Sequence, residues 1–600
     1  MSNDLFNINY LIEKVWHIKD FPLIKEIRYS ESGLISLSES YEDFDRELML
    51  DYPTVYILND KDPKSHKFKV YVGETNDIDR RTKEHLKNED REDFEELNKS
   101  KTTKMLVIGH EHFNKSLTMD IENQMMLYLT GSPAVAQINN RRENPQSKYF
   151  TSDEMPKIFD EIWNELENKN SYLFPAKSKI EKTAIFKSSP FHKLNDEQNK
   201  YKNMIMNKIA ENLVDLSSRE HKLILVDGDA GAGKTVLLSS IFYLISQLYK
   251  QYPRREFKNI SEFMLVNNDE QVKVYDEIAL KLKMEKKKKE IVQKPTTFIN
   301  HHDPKGGLVD ISLIDEGHLL WTQGKQAYKG NNQLQDIIDR SRITILVFDK
   351  NQMIRTQSYT NSNELNSMIS KVESEHNYIH LSTQMRMKAS PKTMAWIDAF
   401  IYKQKIDEIP NDPNYDLRIF DNPKKMYEKI VEKNNDKNYG LSRMVATFDW
   451  PYNQKNSPTN SRYWDVHFSY NGGYFSMPWN RQVTKNNNEQ SWAETPNSLQ
   501  EVGSTFTIQG FDLNYVGVII GPSVKYRNGK VIFDSSQSCD RNATQKRTEK
   551  YKDGSAKKVN VSESMLKNAL NVLMTRGVHG LYIYAVDDEL RKVLQTRHYK

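Results

Sequence analysis

Hydrolysis of a phosphodiester calls for a group that activates the nucleophile, a cation beside the phosphate and usually a carboxylate that holds a divalent metal. All three residue types occur within the first quarter of this 600-residue chain. In "VYVGETNDIDRRTKEHL", Tyr71 closes a strand-like run, and Arg81 and His85 follow four residues apart, the spacing that puts two side chains on one helix face. Glu122 lies further on, in "LTMDIENQMMLYL", beside Ile121, Met125 and Leu129. A carboxylate at such an apolar boundary can project into a cleft. Each residue alone is commonplace as packing or as a solvated surface group; order and spacing together point to chemistry.

A second set suits a triphosphate. "GDAGAGKT" runs from Gly228 through Asp229, Ala230, Gly231, Ala232, Gly233 and Lys234 to Thr235, after a strand-like run and before a helical one. In that context the glycines let backbone N–H groups wrap phosphates, Lys234 reaches the β and γ oxygens, and the Thr235 hydroxyl ligates magnesium. The expected ligand is ATP with Mg2+. Roughly eighty residues on, "ISLIDEGH" ends an apolar strand in Asp315 and Glu316, suited to holding the magnesium and to polarising the attacking water. Four further pieces agree. Gln198 in "LNDEQ" is placed to read the adenine edge, and Asp349 and Gln352 in "ITILVFDKNQ" to sense the γ-phosphate. Arg386 stands in "LSTQMR" at the start of the second lobe, and Arg576 between a helix and a strand in "NVLMTRGVHGLYIY".

These residues need strands and helices to hold them. "TVYIL" and "FKVYVG" flank a polar loop and read as a hairpin, with a helix from about Asp77 to Lys87 after it. The short apolar runs "FMLVN", "ISLID" and "ITILVF", and later "RMVATF", "VGVIIG" and "LYIYAV", alternate with helices, the pattern of parallel sheets in an α/β fold. The expected organisation is a helical lead-in (1–50), a small α/β domain (51–150), a linker (151–190), a first P-loop lobe (191–380) and a second lobe with polar insertions (381–600). "LKMEKKKKE" reads as a solvated helix face. The aromatic insertion "SRYWDVHFSYNGGYFSMPWN" reads either as local packing or as a base-stacking surface.

With 86 Lys and Arg against 82 Asp and Glu, net charge is +4, so contacts with nucleic acid must come from local basic surfaces. The single cysteine, Cys539, excludes internal disulfides and cysteine-rich metal clusters. A reducing cytoplasm is the expected compartment, with neither export nor membrane insertion indicated.

From Gln198 to Arg576 the motifs resemble those of superfamily-one helicases, and most nearly the bacterial type related to the Schlafen helicase region. That resemblance spans about residues 191 to 600. It implies two RecA-like lobes with ATP between them, Arg386 and Arg576 as the arginine fingers that the second lobe donates, and a coupling segment in "TFTIQGFDLNYVGVIIG" that contains Gln509 and Gly510. The first domain, over about residues 52 to 145, looks like the GIY-YIG endonucleases, with "TVY" and "YVG" as the two triplets. Carried over position by position, Tyr56 and Tyr71 are the motif tyrosines, Arg81 the catalytic arginine and His85 the following histidine. Glu122 is then the ligand for Mg2+ or Mn2+, and Asn139, or its neighbour Asn140, the late asparagine. Thr54 replaces the first glycine, and the loop between the triplets is longer than usual.

Together the resemblances imply an ATP-dependent nuclease–helicase acting on nucleic acid, DNA in preference to RNA, in bacterial defence, with a protein partner or a homo-oligomer compatible. The rival readings are a repair or recombination nuclease and an ATP-gated nucleic-acid sensor that does not cut.

Overall fold

The computed structural model describes residues 21–87, 92–139, 144, 146, 148–181, 183–214, 221–228, 231–285, 290–324, 328–360, 362–382, 384, 386–436, 440–453, 456, 458–459, 461–483, 492–508, 511–550 and 556–597. The chain divides into two compact units, Met1–Lys193 with Asp276–Glu290, and Leu194–Tyr275 with Ile291–Lys600.

The first unit is built on a five-stranded mixed sheet. In chain order the elements that frame its site are β1 (Leu23–Arg28), α1 (Glu31–Glu39), α2 (Asp43–Leu50), β2 (Thr54–Lys61), β3 (Phe68–Thr75), α3 (Ile78–Lys87), β4 (Lys104–Gly109), α4 (Lys115–Gly131), β5 (Val135–Asn139) and α5 (Met155–Lys169), with further short helices at Glu92–Lys99, Lys177–Ile180 and Ala184–Lys187. The strand order is β1-β4-β2-β3-β5. The expected hairpin is β2–β3, antiparallel, with Tyr56 opposite Gly73 and Leu58 opposite Tyr71. β5 lies parallel to β3 and sets Asn139 beside Tyr71. Asn114 caps α4, its side chain accepting from the Leu117 N–H. Ile27, Leu37, Met49, Leu58, Met105 and Val107 form the core beneath the tyrosines.

Two expectations about the edges of this unit need correction. The helical lead-in contributes a strand: Ile24 and Ile27 of β1 are buried, and β1 pairs antiparallel with β4 from Leu23–Gly109 to Arg28–Lys104. The supposed linker is packed as well. Trp163 and Phe159 of α5 are buried, and their rings lie 5.1 and 5.2 Å from Tyr128 of α4. A hydrophobic helix face thus covers the helix that carries Glu122.

The second unit carries two parallel sheets, as the alternation of short apolar runs with helices requires. The first has β6 (Lys222–Gly228), β7 (Glu262–Val266), β8 (Val292–Gln293), β9 (Val309–Asp315), β10 (Ser341–Phe348) and β11 (Tyr378–Leu381), in the order β11-β6-β10-β9-β7-β8. Helix α6 (Lys234–Gln251) follows β6 directly. The second sheet combines β12 (Asp416–Ile419), β13 (Arg443–Ala446), β16 (Val502–Gly503), β17 (Leu513–Ile520) and β22 (Gly577–Ala585), in the order β12-β22-β17-β13-β16. Three hairpins stand apart: β14–β15 (Asp465–Tyr470, Gly473–Pro478), β18–β19 (Val524–Arg527, Lys530–Phe533) and β20–β21 (Arg547–Lys550, Ala556–Val559).

The aromatic insertion is β14–β15, and packing accounts for most of it. Phe468, Phe475, Met477 and Trp479 are buried with Trp450, Tyr582 and Tyr584. Of the lysine-rich stretch, Leu282 and Glu285 are buried and lie beyond the helix, which ends at Lys281. Residues 286–289 lie outside the described residues.

Candidate functional sites

Register brings the first set of residues together. Tyr56 and Tyr71 are diagonal neighbours across the β2–β3 ladder and therefore share a face of the sheet. Their rings stack at 6.1 Å, and the His85 ring of α3 lies 6.2 Å from one and 6.0 Å from the other. All three are buried, at 2%, 5% and 2% exposure for Tyr56, Tyr71 and His85. Arg81, one turn before His85, keeps 28% of its side chain exposed and pairs with Glu84 at 3.4 Å. Burial, then the neighbouring Tyr71, pushes the Tyr56 phenol well above its ordinary pKa; the Arg81 cation acts against that rise, and Glu122 adds to it. All these groups are close enough to share one field.

The glycine of the second triplet has a steric reason. A Cβ at Gly73 would fall 2.5 Å from Cζ and Oη of Tyr56, so the tyrosine ring lies directly on the backbone of β3. Glu122 is buried in α4. The same helix is fixed at its start by Lys115, whose ammonium contacts the Glu74 carboxylate of β3 at 2.5 Å. Asn139 ends β5 with its Oδ1 accepting from Gln137 at 3.3 Å; Asn140 lies outside the described residues.

A magnesium or manganese ion fits this donor set. Among the described residues no group of three or more His, Cys, Asp or Glu is arranged as a cage, and such ions are often held by one or two carboxylates with water and substrate phosphate completing the shell. Glu122, whose charge acts on Tyr56 together with Arg81, is a buried carboxylate of the kind such an ion takes.

The triphosphate set is also assembled. Gly231 and Gly233 adopt φ of 88° and 76°, the left-handed backbone that glycine takes without strain; Asp229 and Ala230 lie outside the described residues. Lys234 opens α6, 9% exposed, with its ammonium on the Gly228 carbonyl and 3.2 Å from the Asp349 carboxylate. The Thr235 hydroxyl donates to Asp315 at 3.3 Å, and Tyr275 donates to the same oxygen at 2.8 Å. A hydroxyl and a buried carboxylate side by side are the donors that P-loop sites offer to magnesium.

Glu316 follows in a left-handed conformation, φ 52°, which turns its carboxylate toward His318, 2.9 Å away. Burial works against its charge, yet His318, then Arg576 and Lys234, hold it well below the usual carboxylate range. Burial first, and then the charge on Glu316, raises Asp315.

The two sheets of this unit meet in a relay. Asp349 accepts from the Gln352 amide at 2.7 Å, and Gln352 in turn accepts from Arg576 at 3.2 Å. Arg576 is 1% exposed, and burial, then the charge of Arg386, lowers it to about 10. Arg386 pairs with Asp512 at 2.5 Å and packs on the P-loop so closely that a Cβ at Gly231 would fall 2.3 Å from its own.

Gln198 is buried beside the P-loop. Its amide nitrogen donates to the Ala232 carbonyl of the P-loop at 3.3 Å, and its oxygen accepts from the Asn195 N–H at 3.0 Å. Gln509 and Gly510 lie outside the described residues. Sequence reasoning missed Tyr275, His318 and Asp512, because each acts through a partner distant in sequence or through a turn that no local pattern marks.

Residues 221–587, more than half of the chain, match the Schlafen group 3, DNA/RNA helicase domain. The chain belongs to that family. Residues 52–127 match the GIY-YIG catalytic domain, so a Schlafen group 3 helicase domain and a GIY-YIG domain occupy one chain, as the motifs imply. A Saccharomyces cerevisiae relative, the uncharacterized protein YPL245W, is 32% identical over 435 residues, 67% of this chain and 90% of its own length. A crystal structure of a hypothetical ATP-dependent RNA helicase from Sulfolobus tokodaii covers 65% of this chain and 98% of its own at 10% identity. Its TM-score of 0.18 is too low to bear on fold or function. The GIY-YIG and helicase domains support hydrolase chemistry on nucleic acid.

Proposed function

We propose that this Schlafen group 3 protein is an ATP-dependent nuclease–helicase: the helicase domain hydrolyses ATP on nucleic acid, and the GIY-YIG domain cuts it with a divalent metal. The observation that carries the reading is the convergence of Tyr71, His85 and Arg81 on Tyr56, with the Glu122 carboxylate within reach of the same phenol's field.

A phenol that burial keeps protonated cannot strip a proton outright. Tyr56 acts as a relay, taking a proton from the attacking water as its own passes to a neighbouring base, and His85 is the ring at hand. Arg81 faces the charge that builds on the phosphoryl oxygens. Glu122 would hold the metal, which supplies Lewis-acid stabilisation of the leaving oxygen when bound. In the helicase domain Lys234 and Thr235 would hold the nucleotide and Mg2+ with Asp315, and Glu316 orients water. Arg386 and Arg576 neutralise charge on the transferred group.

DNA is the working substrate of this reading and defence against foreign DNA its setting; repair of branched DNA would use the same chemistry. The test is incubation of the full chain with plasmid, single-stranded DNA and single-stranded RNA in Mg2+ or Mn2+, with and without ATP. Metal-dependent cuts in DNA support the reading. Strand-stimulated ATPase with no cuts on any substrate would leave a sensor instead.

Gly73→Ala gives a second, steric check. Its methyl group must displace the Tyr56 ring, at a cost of about 1–3 kcal/mol in stability, and cleavage is expected to fall by about tenfold or more. Urea melts beside a cleavage assay measure both. Unchanged cleavage would remove Tyr56 from the reaction.

A further inference from the structure

Strand β7 lies parallel to β9, with Val266 beside Asp315 at the edge where both strands end, and the chain turns from β7 into helix α7 (Asp269–Lys281). Asn267 of the turn donates to the Leu319 carbonyl at 2.7 Å, and the Asn268 side chain accepts from the Glu270 N–H at 3.0 Å. The first turns of α7 are thereby fixed against the acids of the ATP site. Gln271 and Tyr275, four residues apart, share a helix face, and that face meets both acids. The Gln271 amide donates to Glu316 Oε1 at 3.3 Å, and the Tyr275 hydroxyl donates to Asp315 Oδ2 at 2.8 Å.

Each acid is held at both oxygens. Asp315 Oδ1 accepts from the Glu316 N–H at 2.9 Å, and its Oδ2 takes Thr235 as well as Tyr275. Glu316 has His318 2.9 Å from Oε2 and Gln271 on Oε1. Gln271 is the partner that packing explains least. Its own Oε1 is buried with no hydrogen-bond partner among the described residues, and a buried acceptor left unsatisfied costs stability. An apolar side chain of similar shape, such as methionine, would avoid that cost and fill the same space. What it would lose is the bond to Glu316.

We propose that Gln271 and Tyr275 are positioning residues for ATP hydrolysis, Gln271 aiming the Glu316 carboxylate at the attacking water and Tyr275 aiming Asp315 at the magnesium ion. The inference rests on the reading of Asp315 and Glu316 as the acids of an ATPase, and extends it to a helix that the motifs leave out. Neither side chain needs to touch the nucleotide. Partners that orient such groups are commonly worth about tenfold to a hundredfold in affinity or rate, because a small misplacement takes the acid out of the reacting geometry. The two losses differ in kind. Water is aligned for attack only on the way to the transition state, so loss of the Gln271 amide falls on kcat. The magnesium ion is held in the ground state too, so loss of the Tyr275 hydroxyl falls on binding.

The test compares Gln271→Met, Glu316→Gln and the double variant of the full chain in ATPase assays, and follows Tyr275→Phe by binding of a fluorescent ATP analogue titrated with Mg2+. Gln271→Met is expected to lower kcat about tenfold to a hundredfold, with KM for ATP and the Kd of the analogue within about twofold of wild type. Rates with and without single-stranded DNA should fall together. Added to Glu316→Gln, the substitution should cost nothing further, the mark of a residue that acts through another; a merely structural role would add its loss in full. Tyr275→Phe should raise the Mg2+ concentration that half-saturates binding of the analogue about tenfold. Should circular dichroism show that Gln271→Met does not fold, Gln271→Asn, one methylene too short for the bond, should give the same fall in kcat and the same lack of additivity. Unchanged kcat in Gln271→Met, or full additivity with Glu316→Gln, overturns the role of Gln271, and unchanged magnesium dependence in Tyr275→Phe overturns that of Tyr275. Undiminished ATP hydrolysis by Glu316→Gln, or none by the wild type, overturns instead the reading of the acids themselves.

Discussion

Glu122→Gln is expected to lower cleavage by about a thousandfold or more while leaving ATP hydrolysis intact. The substitution keeps the shape and burial of the side chain in α4 and removes only the charge that a divalent ion needs. No described cluster of acids or histidines stands ready to replace it. Arg81→Ala should cost about the same, because a cation aimed at developing charge in a partly buried site stabilises it far more than one in water. Neither loss should come from unfolding. Arg81 is part-exposed, with Glu84 as its carboxylate partner, and such a pair contributes little to stability. Circular dichroism beside rates of plasmid nicking separates the two causes. Nicking that persists in both variants would place the reaction elsewhere.

The second large effect concerns the arginine that spans the relay. Arg576→Lys retains a positive charge but loses the planar fork that bonds Gln352. An arginine finger is typically worth a factor of about a thousand in rate, roughly 4 kcal/mol of transition-state stabilisation. The expected result is a fall of about that size in kcat for ATP, with KM altered much less. Lys234→Ala should instead raise KM as well, because its ammonium meets the phosphates in the ground state too. Steady-state ATPase measurements with and without single-stranded DNA distinguish these patterns. Equal kcat in Arg576→Lys and wild type would reduce Arg576 to a packing residue, a role its full burial also allows.

Much of this arrangement is legible in the amino-acid sequence. The P-loop follows from local chain geometry: glycines at fixed spacing after an apolar run can do little else, and Gly231 and Gly233 take the backbone the motif needs. Tyr56, Tyr71, Arg81 and His85 are equally local, since a hairpin and the helix after it fix their neighbourhood. What the sequence conceals is pairing at a distance. "LIKEIR" gives no sign that it seeks β4, some eighty residues away, and its alternation is too short to outweigh the helical segments after it. Trp163 is an ordinary apolar helix residue until Tyr128 lies against it. The amide of Gln198 suits an adenine edge in type and position; its hydrogen bonds to Ala232 and Asn195 appear only in the folded chain. His318 is reached through the left-handed turn at Glu316, a conformation that a glutamate seldom adopts and that no propensity signals.

The relay from Lys234 through Asp349 and Gln352 to Arg576 gives a physical basis for coupling within the helicase domain. A nucleotide held by Lys234, as proposed, would compete with Asp349 for the lysine ammonium, and a shift of Asp349 would reach Arg576 through a single amide. Gln352→Ala removes that amide without touching either charged end. It is expected to weaken stimulation of the ATPase by nucleic acid about tenfold, a loss readable as the ratio of stimulated to unstimulated rate.

The most direct measurement compares wild type, Glu122→Gln and Lys234→Ala in paired assays of DNA cleavage and DNA-stimulated ATPase, each with and without ATP in Mg2+. The expected result is a crossing: Glu122→Gln hydrolyses ATP but leaves DNA whole, and Lys234→Ala loses ATP hydrolysis together with the ATP-dependent part of cleavage. Cleavage by Glu122→Gln at the wild-type rate would contradict the assignment of this chain as a GIY-YIG nuclease driven by a Schlafen group 3 motor.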